Sequence, residues 1–357
     1  MHLVKFQIVL NATTIPTASV ALLREAATAD RAGPRAAERI AEVQALLSDD
    51  MGAVDRELGR LARAGLSPAT DSATHLLEAG GKRVRPLTVL LAAACFGPVP
   101  APARELAVVA ELVHLATLLH DDVVDDGMER RGRPTPRRLW GNAVSVLAGD
   151  LLLTHALEKT AACAPPSVLA DLFATLRRLV DGEIVQLRGR TELDVREDVY
   201  FRIVRDKTAS LFAWAARAGA AAAGAAAEQV AALGEFGARV GVAFQLVDDV
   251  LDYQGDPSAT GKALLGDLVE GKLTLPLVRT LASRPDLRAE LQAVRGGDRR
   301  AADKLADAVR SSGACDEVRA LAREETTVAL AALERVPDGT ARELLGAIAR
   351  ELAARAA

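Results

Sequence analysis

Residues 112–125 have the sequence LVHLATLLHDDVVD, and this apolar run that ends in aspartates decides the fold of the chain. Apolar residues recur along it with helical spacing, so it is predicted to form a buried helix. Carboxylates four positions apart lie on one face of a helix, which brings Asp121 and Asp125 to the same site. Because neighbouring like charges repel each other, we expect a cation there, and hard oxygen ligands favour magnesium or calcium.

A second run with the same design occupies residues 240–252, whose sequence is VGVAFQLVDDVLD. Its Asp248 and Asp252 are again four positions apart and can converge on a cation. An acidic helix cap or a solvated acidic turn is the alternative for either cluster alone, but apolar residues precede both clusters. Magnesium keeps water ligands and takes phosphate oxygens as further ligands, so the two clusters together indicate a substrate that carries phosphate.

The composition favours helices throughout the body of the chain. Hydrophobic residues make up 50% of the 357 positions but aromatic residues only 3%, so alanine, leucine and valine must build the core. Alternating strand patterns are nearly absent, and glycine and proline breaks separate the helical segments. We therefore predict an all-α fold, a single large helical bundle whose central helices carry the aspartates. Residues 1–36 form an N-terminal extension of undefined order, and residues 37–357 form the folded domain.

Charge and targeting signals argue against several classes of protein. The chain has 44 Lys and Arg residues against 48 Asp and Glu residues, a net charge of −4, which gives no support for nucleic-acid binding. Its three cysteines show no paired spacing, as expected in a reducing compartment. No segment is predicted to span a membrane and the N-terminus lacks a secretory signal, so we expect a cytoplasmic protein.

Four basic segments accompany the two aspartate clusters. They are GGKRVRP at residues 80–86, RRG at 130–132, KT at 207–208, and the lysines of the two Gly-Lys pairs at 261–262 and 271–272. Glycines give the first segment backbone freedom beside its cations, so such a turn can cradle a diphosphate. A short run of charges is usually a solvated surface, and each segment alone says little. Acidic clusters followed by cations are nevertheless the pattern expected of a site for metal and phosphate.

The order, spacing and identity of these segments resemble the trans-isoprenyl diphosphate synthases, also called polyprenyl synthetases. The match runs from about residue 41 to the C-terminus and includes GGKRVRP, the helix ELVH at 111–114, RRGRPT at 130–135 and GKLTLP at 271–276. The resemblance implies an all-α bundle around a deep central cavity, of the isoprenoid synthase type, and a homodimer. It further implies a prenyltransferase that joins isopentenyl diphosphate head-to-tail to an allylic diphosphate and makes an all-trans polyprenyl diphosphate.

The resemblance also implies a role for each matching residue. Three magnesium ions on the allylic diphosphate would be held by Asp121, Asp125 and Asp248, with support from Asp122, Asp249 and Asp252. The same diphosphate would be bound by Arg130, Lys207 and Lys262, and isopentenyl diphosphate by Lys82, Arg85, His114 and Arg131. Lys207, Thr208 and Gln245 form the catalytic set, in which Thr208 and Gln245 border the allylic diphosphate and turn their oxygen dipoles toward the allylic cation.

Product length is predicted from the helix that precedes Asp121. Ala116 and Thr117 are the fifth and fourth residues before this aspartate, where a large side chain would form a floor beneath the growing tail. Short-chain members of the family that the chain resembles tend to have an aromatic residue at one or both positions. The two small side chains therefore predict a long-chain product, such as the tail of a respiratory quinone.

Three alternatives stay open at this point. A short-chain synthase would release farnesyl or geranylgeranyl diphosphate. A class I terpene cyclase shares the fold and the first aspartate cluster, but its second metal motif is expected to read Asn/Asp-Ser/Thr-Glu, unlike residues 248–252. A non-catalytic partner subunit of a two-component synthase typically lacks some of the aspartates or lysines, and none is missing here.

Overall fold

The computed structural model describes the backbone of residues 35–255 and 265–354, together with the side chains in these ranges except at 35–46 and 191. Within them the chain is helical apart from one short antiparallel hairpin, so the predicted all-α bundle is confirmed. Lys262 and nearly all of the predicted N-terminal extension, residues 1–36, lie outside the described residues.

Within residues 35–192 the structure describes seven helices and the hairpin. They are α1 (Arg35–Ala62), α2 (Ala69–Glu78), α3 (Val84–Ala94), α4 (Ala101–Val124), β1 (Glu129–Arg130), β2 (Arg133–Pro134), α5 (Pro136–Trp140), α6 (Asn142–Cys163) and α7 (Pro166–Glu192). The second half contains α8 (Glu197–Ile203), a π-helical turn (Val204–Ala209), α9 (Ser210–Ala222), α10 (Ala227–Gln254), α11 (Gly266–Val269), α12 (Leu275–Ser283), a 3₁₀ turn (Pro285–Leu287), α13 (Arg288–Arg295), α14 (Arg299–Ser311), α15 (Ala314–Leu333) and α16 (Thr340–Ala354).

Helices α4 and α10 are the central helices, and each ends at one of the aspartate clusters. Helix α4 packs against α1, α3, α6 and α9, and α10 packs against α9 and α15. Buried apolar residues follow one another along α4 from Leu106 to Leu119, which is typical of a helix surrounded by protein. Both clusters lie at helix C-termini, where the helix dipole disfavours negative charge, so the fold increases the need for cations.

The alanine-rich helix α9 lies between α3 and α10 at very short backbone distances. A Cβ atom placed on Gly219 of α9 would lie 2.1 Å from the carbonyl oxygen of Val89 in α3. A Cβ atom placed on Gly237 of α10 would lie 2.5 Å from the carbonyl oxygen of Phe212 in α9. Only glycine fits at these contacts, so the three helices are held at a close and fixed spacing.

Two apolar cores surround the central helices. The larger core surrounds α4 and includes Leu112 and Trp214. The smaller core surrounds the C-terminal half of α10, includes Val250 and Leu305, and draws on α12, α14 and α15. The second aspartate cluster is therefore embedded in a core of its own at the end of α10.

In the part of the chain that the structure describes, only α10 combines the length and the apolar composition of a membrane-spanning helix. Of its apolar window, 61% is buried inside the protein, which is typical of a core helix. This burial agrees with the position of α10 between α9 and α15.

Candidate active site

Asp121 is half-buried near the end of α4 and faces charged groups from other helices. The Nζ atom of Lys207 lies 3.7 Å from its Oδ2 atom. Burial, together with the carboxylates of Glu183 and Asp125, raises the pKa of Asp121 to about 6, although Lys207 opposes the shift. A carboxylate in this environment is stabilised by any further cation that approaches it.

Asp125, one turn later, is paired with two cations. The Nη2 group of Arg190 in α7 donates a 2.7 Å hydrogen bond to its Oδ1 atom, and the Nζ atom of Lys272 lies 3.3 Å from its Oδ2 atom. Burial alone would raise the pKa of Asp125, but Lys272 and Arg190 outweigh burial and lower this pKa. Lys272 also lies 3.3 Å from Asp267, so it connects the end of α4 with the segment that follows α10.

Asp122, which lies between Asp121 and Asp125 in the sequence, is buried, and only one of its two carboxylate oxygens has a hydrogen-bond partner among the described residues. Its Oδ1 atom accepts a 2.9 Å hydrogen bond from Nε of Arg130, whose Nη2 group lies 2.8 Å away. Its Oδ2 atom is buried and has no hydrogen-bond partner among the described residues. Burial raises the pKa of Asp122, although Arg130 opposes the shift. A buried carboxylate oxygen without a partner costs free energy, and a divalent cation would remove that cost.

Neutral donors hold the central aspartate of the second cluster. Asp249, of which 2% is exposed, accepts a 2.6 Å hydrogen bond from the hydroxyl of Tyr200 and a 2.8 Å hydrogen bond from the amide of Gln245. The backbone N–H of Leu275 donates a third, 3.1 Å hydrogen bond to it. Burial raises the pKa of Asp249 to about 7, although these hydrogen bonds oppose the shift. Asp249 therefore joins α8, α10 and the start of α12.

Asp248 and Asp252 are half-buried and lie one turn apart on α10. The backbone N–H of Asp267 donates a 3.3 Å hydrogen bond to Oδ1 of Asp252, and the backbone N–H of Leu265 donates to the carbonyl oxygen of Asp252 at 2.9 Å. These hydrogen bonds fix the segment around α11 against the end of α10. Lys272, which contacts the first cluster, follows directly after this segment.

The π-helical turn Val204–Ala209 places Lys207 and Thr208 between the two clusters. Lys207 contacts Asp121 of the first cluster. The hydroxyl of Thr208 donates a 2.9 Å hydrogen bond to Oε1 of Gln245, whose amide reaches the second cluster. π-Helical turns are frequent at functional sites, and here one such turn connects the two acidic helices.

Helix α7 approaches this turn closely and contributes two functional side chains. A Cβ atom placed on Gly182 would lie 2.8 Å from the backbone nitrogen of Lys207, so only glycine permits the approach. The next residue, Glu183, forms an ion pair with Lys207. No role was predicted from the sequence for Glu183 or Arg190. Their seven-residue spacing places both on one face of α7, and this signal could have found them.

The turn at residues 80–86 meets the hairpin that follows α4. A Cβ atom placed on Gly81 would lie 3.1 Å from the Nη1 atoms of both Arg83 and Arg131. Lys82 lies between Gly81 and Arg83 and is exposed. The fold therefore brings the first two basic segments of the chain together.

Arg85 and His114 extend this group toward the core. The guanidinium carbon of Arg85 lies 4.6 Å from the ring centre of Phe212, a distance suited to cation–π attraction. Burial lowers the pKa of Arg85 to about 10, so the side chain remains a cation at neutral pH. Burial, together with the charges of Arg85 and Arg131, holds the pKa of His114 well below its usual value. His114 is therefore a neutral hydrogen-bonding group.

Arg83 anchors the turn at residues 80–86, a role that was not predicted from the sequence. Its Nη1 group donates a 2.6 Å hydrogen bond to Glu111 in α4, and its Nε group donates a 3.3 Å hydrogen bond to Asp55 in α1. Burial alone would lower the pKa of Arg83, but these two carboxylates outweigh burial and raise it. Removal of one partner from a buried ion pair costs about 3–5 kcal/mol. This pair therefore holds the turn on the bundle.

His75 of α2 fixes the hairpin, a second role that was not predicted. Its Nε2 atom lies 2.9 Å from the carbonyl oxygen of Pro134, and its ring packs edge-on against Trp140 with centroids 5.5 Å apart. No local pattern in the sequence indicates a contact between such distant residues. The hairpin that carries Arg130 and Arg131 is therefore held by α2 and α5.

Ala116 and Thr117, which were expected to line the product path, lie on α4, the helix that the larger core surrounds. Ala116 is buried in that core, and the hydroxyl of Thr117 donates a 2.7 Å hydrogen bond to the carbonyl oxygen of His114. Both side chains are small, so neither would form a bulky floor. Their influence on product length stays a prediction.

The carboxylates of the site suit magnesium shared with a phosphate ligand. Among the side chains described in 35–255 and 265–354, no three His, Cys, Asp or Glu groups come close enough to hold a cation by themselves. Magnesium, however, usually binds one or two carboxylates and completes its shell with water and phosphate oxygens. The unpaired oxygen of Asp122 and the raised pKa of Asp121 both fit a cation at this position.

Comparison with known proteins identifies close relatives. The model of the polyprenyl synthetase family matches residues 68–311. The all-trans-nonaprenyl-diphosphate synthase (geranyl-diphosphate specific) of Rhodobacter capsulatus is 36% identical over 307 residues, which cover 85% of this chain and 94% of that protein. The heptaprenyl diphosphate synthase component 2 of Geobacillus stearothermophilus is 37% identical over 310 residues, which cover 86% of this chain and 96% of that protein.

Two solved structures are similar over most of the chain. The polyprenyl synthase of Caulobacter crescentus CB15, complexed with calcium and isoprenyl diphosphate, has a TM-score of 0.83 and 36% identity over 88% of this chain and 97% of that one. A decaprenyl diphosphate synthase from Rhodobacter capsulatus has a TM-score of 0.82 and 35% identity over 88% of this chain and 99% of that one. Sequence and structure comparisons therefore agree on one family.

Proposed function

The chain belongs to the polyprenyl synthetase family and is a trans-polyprenyl diphosphate synthase, and we propose that the residues between the ends of α4 and α10 form its active site. The observation that carries this assignment is the pair of contacts Lys207–Asp121 and Lys272–Asp125. Each contact links the first cluster to a segment that is bound to the second. Two lysines thus link the first cluster to segments held by the second, which supports a shared site for a metal–diphosphate group.

Asp121, Asp125 and Asp248 are proposed as ligands of three magnesium ions, supported by Asp122, Asp249 and Asp252. When bound, the ions would stabilise the negative charge that develops on the diphosphate as the allylic carbon–oxygen bond breaks. Arg190 and Lys272, which now pair with Asp125, would turn to the phosphate oxygens. The metal count is testable by titration of the protein with Mn²⁺ in the presence of pyrophosphate.

The two substrates would be held by the cations around these carboxylates. Arg130, Lys207 and Lys262 are proposed to bind the allylic diphosphate, and Lys82, Arg85, Arg131 and neutral His114 to bind isopentenyl diphosphate. Thr208 and Gln245 would turn oxygen atoms toward the allylic cation, so no protein nucleophile is required. The departing diphosphate would take the final proton. The protein would bind and orient the two substrates and would exclude water from the site.

The product is a long-chain polyprenyl diphosphate, as the names of the heptaprenyl and nonaprenyl relatives indicate for those proteins. We propose that Ala116 and Thr117 leave the path for the growing tail open and that the product supplies a quinone side chain. Ala116→Phe should place a floor in this path and shorten the product. An unchanged product distribution would show that Ala116 does not line this path.

Product analysis of the purified full chain tests the proposed function. With Mg²⁺, isopentenyl diphosphate and farnesyl diphosphate, we expect products longer than geranylgeranyl diphosphate by mass spectrometry. A geranylgeranyl end product would indicate the short-chain alternative, and a cyclic hydrocarbon would indicate a terpene cyclase. Activity of the chain alone also separates an enzyme from a partner subunit, because the Geobacillus stearothermophilus relative is named as one component of a synthase.

An apolar stripe on α7 supports a homodimer. Phe173, Val180, Ile184 and Leu187 are exposed on one face of this helix, and Leu147 is exposed on the neighbouring α6. Exposed apolar side chains that form a continuous patch mark association surfaces. We propose that the stripe binds a second copy of the chain in the cytoplasm. Phe173→Glu should yield a monomer in analytical ultracentrifugation, whereas a wild-type protein that is already monomeric would contradict the proposal.

Residues 37–357 are proposed as the catalytic domain, with residues 1–36 as an extension. Helix α1 begins at Arg35, close to this boundary. A chain that starts at residue 37 should therefore retain the melting temperature and the specific activity of the full chain. Loss of either property on truncation would assign the extension to the fold or to the site.

A further inference from the structure

A chain of hydrogen bonds runs from buried Tyr200 to half-buried Thr208. Tyr200 donates to Asp249 at 2.6 Å, the Gln245 amide donates to the other oxygen of Asp249 at 2.8 Å, and Thr208 donates to the carbonyl oxygen of Gln245 at 2.9 Å. We infer that Tyr200 is a positioning residue that, through Asp249, orients the Gln245 amide for the reaction. The inference rests on the proposed function, because it concerns the oxygens that face the allylic cation.

The carboxylate of Asp249 determines which end of the amide faces Thr208. A carboxylate accepts hydrogen bonds, so the NH₂ group of Gln245 turns toward Asp249 and its Oε1 atom turns away. Oε1 then accepts the single hydroxyl proton of Thr208. This arrangement leaves lone pairs of both oxygens unused, and they can stabilise positive charge that develops beside Lys207.

Tyr200 is suited to this task because Tyr200 and Thr208, the two ends of this series of hydrogen bonds, lie in one continuous segment. Tyr200 lies on α8, and Thr208 lies on the π-helical turn that follows α8 directly. Both residues form hydrogen bonds with side chains of α10, so this segment is attached to α10 at two points. The ring of Tyr200 is buried and packs edge-on against Phe201 with centroids 5.3 Å apart, which directs its hydroxyl at Asp249.

The Tyr200→Phe variant removes one hydroxyl group and nothing else. We expect kcat to fall about tenfold, with KM for isopentenyl diphosphate and for the allylic diphosphate unchanged within about twofold. The reason is that oriented oxygens stabilise the developing cation and contribute little to binding of the ground state. A residue with a purely structural role would not separate kcat from KM in this way.

The second of the two tyrosines in the chain provides a matched control. Tyr253 is buried in the same core, and its hydroxyl lies 3.0 Å from Oγ1 of Thr274, outside the chain of hydrogen bonds. Tyr253→Phe therefore loses a buried hydroxyl contact of the same kind. Both variants should melt a few degrees below the wild type, because each loses one buried hydrogen bond. Only Tyr200→Phe should lose kcat.

Double variants test whether Tyr200 acts through Gln245. Gln245→Ala should lower kcat at least as much as Tyr200→Phe, and the double variant should lose no more than Gln245→Ala alone. Thr208→Ser keeps the hydroxyl and should retain most of kcat, whereas Thr208→Val should lose it. The Thr208 pair also tests the chain of hydrogen bonds from its other end if Tyr200→Phe does not fold.

Each outcome decides between the inference and the proposed function. Equal kcat values for Tyr200→Phe and Tyr253→Phe, or additive losses in the double variant, would overturn the role of Tyr200 and leave the proposed function intact. Equal kcat values for Thr208→Ser and Thr208→Val would also overturn the role of Tyr200. If the wild type and Tyr253→Phe both fail to elongate farnesyl diphosphate, the proposed function itself fails and the inference falls with it.

Discussion

The two aspartate clusters have the same sequence pattern but opposite surroundings. Cations contact all three carboxylates of the first cluster: Lys207, Arg130, Arg190 and Lys272. In the second cluster, hydroxyl, amide and backbone N–H groups hold the central Asp249. The comparison supports a first cluster that can exchange its partners for a charged ligand, whereas Asp249 of the second cluster forms part of a fixed framework.

Electrostatics explains why the two environments suit different tasks. The cations around the first cluster relieve the repulsion between carboxylates at a helix C-terminus, and a metal–diphosphate group can take over that role. Under the proposed function, the cations released from the carboxylates would then pair with phosphate oxygens. The hydrogen-bond donors described for Asp249 are neutral, so these bonds persist and keep Gln245 oriented.

The largest expected effect is the loss of a metal ligand from the first cluster. Asp121→Asn should lower kcat by roughly 10³-fold, because the diphosphate loses charge stabilisation in the transition state. The measurement is steady-state elongation of farnesyl diphosphate at saturating Mg²⁺. Asp181→Asn, at an exposed carboxylate on α7, should retain wild-type activity. A loss of less than about tenfold in Asp121→Asn would contradict the exchange of partners at this cluster.

A smaller effect is expected for Arg190, which contacts the same cluster. Arg190→Gln should lower kcat/KM for the allylic diphosphate about tenfold, because a cation that pairs with phosphate oxygens is lost. Arg188→Gln, at an exposed arginine on the same helix, is the matched control and should have no effect. In EDTA, Arg190→Gln should also melt below the wild type, and Mg²⁺ with pyrophosphate should narrow that gap. A gap that persists in the presence of both ligands would indicate a purely structural role for Arg190.

The smallest expected effect concerns stability without metal. The pKa of Asp121 is raised to about 6, so its ionised form destabilises the fold above that pH, and the effect disappears as the pH falls toward the unfolded pKa of 3.8. Asp121→Asn in EDTA should therefore exceed the wild type in free energy of unfolding by ~3 kcal/mol at pH 8, with no difference near pH 4. Urea unfolding at the two pH values measures this difference. A gain that is independent of pH would have a different cause.

Helical periodicity and local spacing were sufficient to predict the fold and both aspartate clusters. These features depend on residues that are close in sequence or that recur with a helical period. The place of Lys207 beside the first cluster, where its Nζ atom lies 3.7 Å from Asp121, was instead implied by the resemblance to a known family. Features that depend on local spacing or on a helical period can be predicted from a single sequence.

The different use of the two clusters was not predictable, because Asp122 and Asp249 occupy the same position in nearly the same local pattern. What distinguishes them is contact with distant residues, such as Tyr200 for Asp249. The same limit explains the missed arginines. Arg83 is buried and Arg190 half-buried, and both pair with carboxylates on other helices. A short run of basic residues carries no information about such partners.

Anomalous diffraction from crystals soaked with Mn²⁺ and pyrophosphate would test most directly whether the two clusters share one ligand site. We predict Mn²⁺ peaks within coordination distance of Asp121 and Asp125 on one side and of Asp248 on the other, with pyrophosphate bridging them. Peaks confined to one cluster, or separate sites without a shared pyrophosphate, would contradict it.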